Sequence, residues 1–101
     1  MPIKKVEFHN KASAEYDAAF DWYLERSPDA ALDFDAEVDR ALANIIAAPQ
    51  RWAAGPHSTR RYLLRRFPYI LVYRERDNEI QVVAVAHTSR KPGYWKKRLR
   101  R

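Results

Sequence analysis

The sequence predicts an α+β domain in the order β-α-α-β-β-β, an antiparallel sheet packed by an N-terminal helical hairpin. Three observations carry this. Apolar residues between 11 and 48 recur three and four apart, the spacing of one helix face. Between 60 and 88 they gather in short β-branched and aromatic runs divided by a turn signal. A lone Ser27-Pro28 step separates two helix-period segments, so they must fold back on each other. At 101 residues the chain is expected to form one domain over 1–101, able to bury roughly two-thirds of its unfolded surface.

Each element follows from its residues. Ile3, Val6 and Phe8 among charges suit a short first strand, and Asn10 is a plausible cap for the helix after it. From Lys11 to Arg26, Tyr16, Ala19, Phe20, Tyr23 and Leu24 mark one apolar face, with Glu15, Asp17, Asp21 and Glu25 elsewhere. Ser27 is an N-cap, Pro28 takes the first helical position, and Asp29 sits near the positive end of the macrodipole. The second helix runs to about Ala48 on Phe34, Val38, Leu42 and Ile45, and Pro49 ends it. Its acids read as a solvated face. Gln50–Ser58, with Trp52, Gly55 and Pro56, reads as a loop. Three strands follow at about Arg60–Phe67, Tyr69–Arg76 and Glu79–Thr88, with Asp77-Asn78 as a tight hairpin turn. The last two are apolar on both faces, so both faces of the sheet are covered there.

Charge divides the chain. Residues 1–50 hold 5 Lys/Arg against 10 Asp/Glu, and residues 51–101 hold 14 against 3, giving −5 and +11 for a total of +6. Such asymmetry points to a polyanionic partner for the second half, nucleic acid or an acidic protein segment. The 47% hydrophobic content argues against a disordered tail. With no cysteine, disulfides and thiolate metal sites are excluded. His9 and His57 lack partners at metal-ligand spacing, so no metal is expected. Two glycines leave no phosphate loop, so no cofactor is expected either. No signal peptide or membrane span is legible, and the expected location is the cytoplasm.

Two clusters can carry function. Strand alternation would put Arg61 and Arg65 on one face, and Arg60 and Arg66 on the other. Their planar guanidinium forks suit carboxylate or phosphate, although edge-strand protection explains them as well. The second cluster is His87-Thr88-Ser89-Arg90 with Tyr94 and Trp95. Histidine can move a proton near neutral pH, arginine can stabilise developing charge, and the aromatic rings can stack. The alternative is structural: His87 bonds a carbonyl at the strand end and Trp95 plugs the core. The tail from Lys96 to Arg101 reads as a solvated basic run.

The stretches RRYLLRRFPYILVY and IQVVAVAHTSRKPGYWKKR, behind a strand and a long helical hairpin, resemble the RelE/ParE superfamily of bacterial type II toxins over about Ile3 to Arg98. The resemblance implies a basic toxin neutralised by a cognate antitoxin, whose acidic extended segment wraps it in a hetero-oligomer. RelE-like members cleave messenger RNA on the ribosome; by position, His87, Arg65, Arg90 and Tyr94 would be catalytic. The chain departs from that pattern, with only Arg51 where some members carry a lysine pair and no acid on the Arg60–Phe67 strand. ParE-like members bind DNA gyrase and need no catalytic set, and the long hairpin favours this branch. Arg60, Arg61, Arg65, Arg66, Arg90 and Trp95 would then form the antitoxin- or target-binding surface. A non-toxic basic RNA-binding module is a further reading.

Overall fold

The computed structural model describes residues 5–100, so Ile3 of the expected first strand and Arg101 of the tail lie outside them. The order is β1 (Lys5–Phe8), α1 (Asn10–Arg26), α2 (Pro28–Ala47), β2 (Ala53–Ala54), β3 (Arg60–Leu63), β4 (Tyr69–Arg76), β5 (Glu79–His87) and a short 3₁₀ helix at Lys96–Leu99. The α+β class and the order of the main elements agree with the sequence. The sheet runs β1-β5-β4-β3-β2 and is mixed. Its exception to antiparallel pairing is β1, which lies parallel to β5 with Val6 opposite Ile80. The connection from β1 to β5 runs through the helical hairpin and the three intervening strands, far longer than the run of about a dozen residues that a parallel crossover needs.

The start of α1 differs from expectation. His9, not Asn10, is the N-cap, its Nδ1 accepting from the Lys11 N–H at 3.1 Å. The His9 N–H still donates to the Val82 carbonyl at 2.9 Å, so strand passes to helix without a spare residue. At the next junction Ser27 caps α2 as its sequence predicts, with its Oγ accepting from the Ala30 N–H. The hairpin packs on the sheet through fully buried Phe34, Ala31 and Ile45 from α2 and Ala12 from α1. Each large apolar side chain so buried contributes about 1.5–3 kcal/mol. Around Phe34, the rings of Tyr16, Tyr23, Phe67 and Tyr69 sit at 5.3–5.5 Å in stacked, tilted and edge-on arrangements.

Both sheet faces are covered, one by the hairpin and one by the C-terminal segment. Leu71, Tyr73, Ile80, Val82 and Val85 face the helices, whereas Val72, Val83, Ala84 and Ala86 pack with Trp95 on the other side. A bulge makes this division work. Pairing passes from Val72–Ala84 to Tyr73–Val82, leaving Val83 as an extra residue. Strict alternation is therefore broken once, and Val82 and Val85 both reach the helical side. Asp77 and Asn78 have φ of 51° and 63°, the positive pair that a two-residue hairpin requires.

Three further regions depart from the sequence reading. Within the expected loop, Ala53 and Ala54 pair with Arg61 and Arg60 to make β2. The strand expected over Arg60–Phe67 stops at Leu63, and the Arg65 and Arg66 N–H groups beyond it donate to Glu37 instead of a strand. The basic tail is folded back on the sheet: Lys96, Lys97 and Arg100 are exposed as expected, but Arg98 and Leu99 are half-buried. Gly93, at φ 77°, turns the chain so that Trp95 and Leu99 pack over the sheet. No helix among the described residues is long and apolar enough to cross a membrane.

Candidate functional site

The arginine face is built from the helices as much as from the strands. On α2, Glu37 falls three residues after Phe34 and four before Ala41, so it lies on the buried stripe and is only 4% exposed. Its carboxylate accepts the N–H groups of Arg65 and Arg66 and, at 3.2 Å, the Arg66 Nε–H. Burial opposes ionisation of Glu37, but those donors outweigh it and hold the carboxyl below its ordinary value. This is the physical reason that β3 ends early: Glu37 draws the backbone out of the ladder and into a bend. Phe67 then completes the anchor with its ring 5.0 Å from Tyr23.

Glu15 occupies the equivalent position on α1, three residues after buried Ala12 and four before buried Ala19. It reaches β5 just beyond the end of β1, where the strand edge has lost its partner. There Glu15 accepts the Val85 N–H at 3.0 Å, while Arg98 donates to the Val83 carbonyl at 3.0 Å. A side-chain pair thus replaces a missing strand along this edge. Arg98 closes on Glu15 through two bonds of 2.8 and 2.9 Å, and the Tyr94 hydroxyl donates to Glu15 at 2.6 Å. Despite the cost of burial, these donors lower the Glu15 pKa, while burial and the bond to Glu15 push the Tyr94 phenol up to about 12. The Arg90 guanidinium lies 3.7 Å from the centre of the Tyr94 ring, a cation–π contact.

The expected site residues divide among neighbouring clefts. On the sheet face away from the hairpin, a cleft of about 450 Å³ has Ile70, Val72 and Ala86 in its floor and Arg61, His87 and Arg90 at its rim. Tyr94 and Trp95 also line it, but Trp95 is 7% exposed and offers little surface. His87 and Arg90 border a second cleft as well, against Ala18 and Trp22 of α1. Arg65 lies in a third, with Trp52, Leu63 and again Arg61. Arg61 and Arg65 therefore do share a cleft, through the bend rather than through the strand alternation expected of them. Arg60 turns back to the Trp52 carbonyl at 2.8 Å, and Arg66 is paired with Glu37.

Chemically, the face is suited to holding anions. None of Arg61, Arg65 and Arg90 has a carboxylate partner among the described residues. Proton transfer is less well provided. The His87 Nδ1 accepts the Ser89 N–H at 3.0 Å and lies 2.8 Å from the Ser89 Oγ. That arrangement keeps the proton of the neutral ring on Nε2. Tyr94 has its hydroxyl committed to Glu15. The two residues that sequence reasoning passed over are Glu15 and Glu37, grouped there with the solvated acids. Their i+3/i−4 spacing from buried residues was the available signal.

A helical hairpin against a mixed sheet, with arginines lining clefts on the strand side, makes this a small α+β domain with a cationic face. Known proteins narrow this. Residues 6–92 match the family model described as "ParE toxin of type II toxin-antitoxin system, parDE". Toxin ParE2 of Mycobacterium tuberculosis, from strains CDC 1551 / Oshkosh and H37Rv, is 30% identical over 91 residues, covering 88% of this chain and 86% of the relative. A solved structure titled "Chromosomal ParDE TA system from P. aeruginosa" shares the fold, with a TM-score of 0.71 at 22% identity, over 84% of this chain and 96% of that one. The chain belongs to the ParE toxin family of type II toxin–antitoxin systems, on the ParE-like side of the RelE/ParE superfamily. Membership implies an antitoxin partner.

Proposed function

We propose that this chain arrests growth by binding DNA gyrase, and that its antitoxin neutralises it by laying an acidic extended segment along the arginine face. Binding rather than RNA cleavage is supported above all by the commitment of Tyr94. Its hydroxyl donates to Glu15 at 2.6 Å and its pKa is pushed up to about 12, so it is a poor proton donor or acceptor near neutrality. The separation of Arg65 from the cleft shared by His87 and Arg90 supports the same reading. Arg61, Arg65 and Arg90, without a carboxylate partner among the described residues, supply the charge complement for an acidic segment.

The test is a supercoiling assay with purified protein, run beside translation of a reporter message. Inhibited supercoiling with intact message is expected, and His87→Ala should retain inhibition. Cleaved message with unimpaired gyrase would overturn the binding reading in favour of an endoribonuclease. Growth of cells that express the protein at full yield without an antitoxin would overturn both.

A further inference from the structure

We propose that Glu37 is a positioning residue for the binding face, setting where the Arg65 guanidinium stands. The inference rests on the reading that this face grips an anionic partner. Glu37 is almost fully buried on α2, yet two of its hydrogen bonds go to backbone N–H groups 28 and 29 residues away, at Arg65 and Arg66. A core carboxylate held below its usual pKa needs compensation, and the bend is its sole source among the described residues. The bend in turn has few other ties. Leu64 donates to the Tyr69 carbonyl, Tyr69 donates to the Phe67 carbonyl, and Phe67 packs on the aromatic cluster. None of these contacts involves Arg65 itself. Among the described residues Glu37 takes the Arg65 backbone N–H, and the Arg65 side chain is left beside Arg61 in the cleft with Leu63 and Trp52.

Electrostatics and geometry predict opposite signs when Glu37 is changed, which makes the role testable. Removing a carboxylate from a domain of net charge +6 strengthens its field for anions. If Glu37 acts only as a charge, Glu37→Ala and Glu37→Gln bind anions equally and more tightly than the parent. If it positions Arg65, Glu37→Ala binds more weakly, and Glu37→Gln, whose amide oxygen can still accept the two N–H groups, binds at least as tightly as the parent. Glu37→Asp preserves charge but falls one methylene short, so it weakens binding with no Coulomb change.

The experiment titrates a fluorescently labelled oligoglutamate peptide with each variant, and with the same variants carrying Arg65→Ala. This probe does not depend on gyrase, so a failure of the proposed target leaves the measurement intact. Glu37→Asp and Glu37→Ala are expected to lose about fivefold in affinity, the worth of one well-placed arginine contact. In the Arg65→Ala background neither change should weaken binding further. Should Glu37→Ala fail to fold, Glu37→Asp carries the comparison. Equal tightening in Glu37→Ala and Glu37→Gln, parental binding by Glu37→Asp, or an undiminished loss in the Arg65→Ala background would each overturn the proposal.

Discussion

The Glu15–Arg98 pair ties the C-terminal segment to α1 and to the open edge of β5, and its removal from either side has a calculable cost. The two side chains are 17% and 12% exposed, and Glu15 accepts four hydrogen bonds. Glu15→Gln keeps an acceptor for Val85 or Tyr94 but strands the Arg98 charge. Removing one partner of a buried pair costs about 3–5 kcal/mol, and the residual water contact here puts Glu15→Gln near the lower end. Arg98→Met is milder at about 2 kcal/mol, because Glu15 retains Val85 and Tyr94 as donors while the Val83 carbonyl loses one. In the double variant no charge is stranded, so its loss should be about 2 kcal/mol rather than the sum.

Urea unfolding measures this directly, since the midpoint shifts while the slope stays constant if only stability changes. By heat, Glu15→Gln should melt roughly 15 °C below the parent. The sharpest expectation is ordinal: adding Arg98→Met to Glu15→Gln should raise stability. Strict additivity of the two single losses would refute the reasoning and reduce the pair to an ordinary surface contact.

Stability should be level above the ordinary carboxylate range and fall as acid titrates Glu15 and Glu37 below it, because their folded pKa values lie under their unfolded ones. Urea midpoints measured down through that range should show a weaker acid dependence for Glu37→Gln. The Tyr73 hydroxyl donates to the Pro49 carbonyl from a ring that is 1% exposed, so Tyr73→Phe should lose about 1 kcal/mol in the same assay. Nitrogen-15 shifts of the neutral His87 ring should report the Nε2–H tautomer, as the Ser89 N–H contact to Nδ1 requires; the Nδ1–H tautomer would contradict that geometry.

Local periodicity made most elements legible. The heptad-like apolar spacing of α1 and α2, the Ser27-Pro28 junction and the Asp77-Asn78 turn all rest on interactions within a few residues. They therefore stand in the structure nearly where the sequence puts them. The errors fall where distant partners compete with local preference. β3 looks long enough to reach Phe67, but a carboxylate 28 residues upstream takes its N–H groups. The basic tail looks solvated, yet Arg98 finds Glu15 across 83 residues.

The arginine face shows the same division. Charge asymmetry and the sequence of arginines point to an anionic partner without any coordinates. Which arginines are held by a neighbour was decided only by packing: Arg60 and Arg66 bond Trp52 and Glu37, while Arg61, Arg65 and Arg90 line clefts. By itself the sequence determined the main elements, their order and the sign of the field, because these depend on neighbours in the chain. Tertiary structure decided which carboxylates turn inward and which arginines they free or hold, because a buried charge takes its partner from whatever the fold brings within reach.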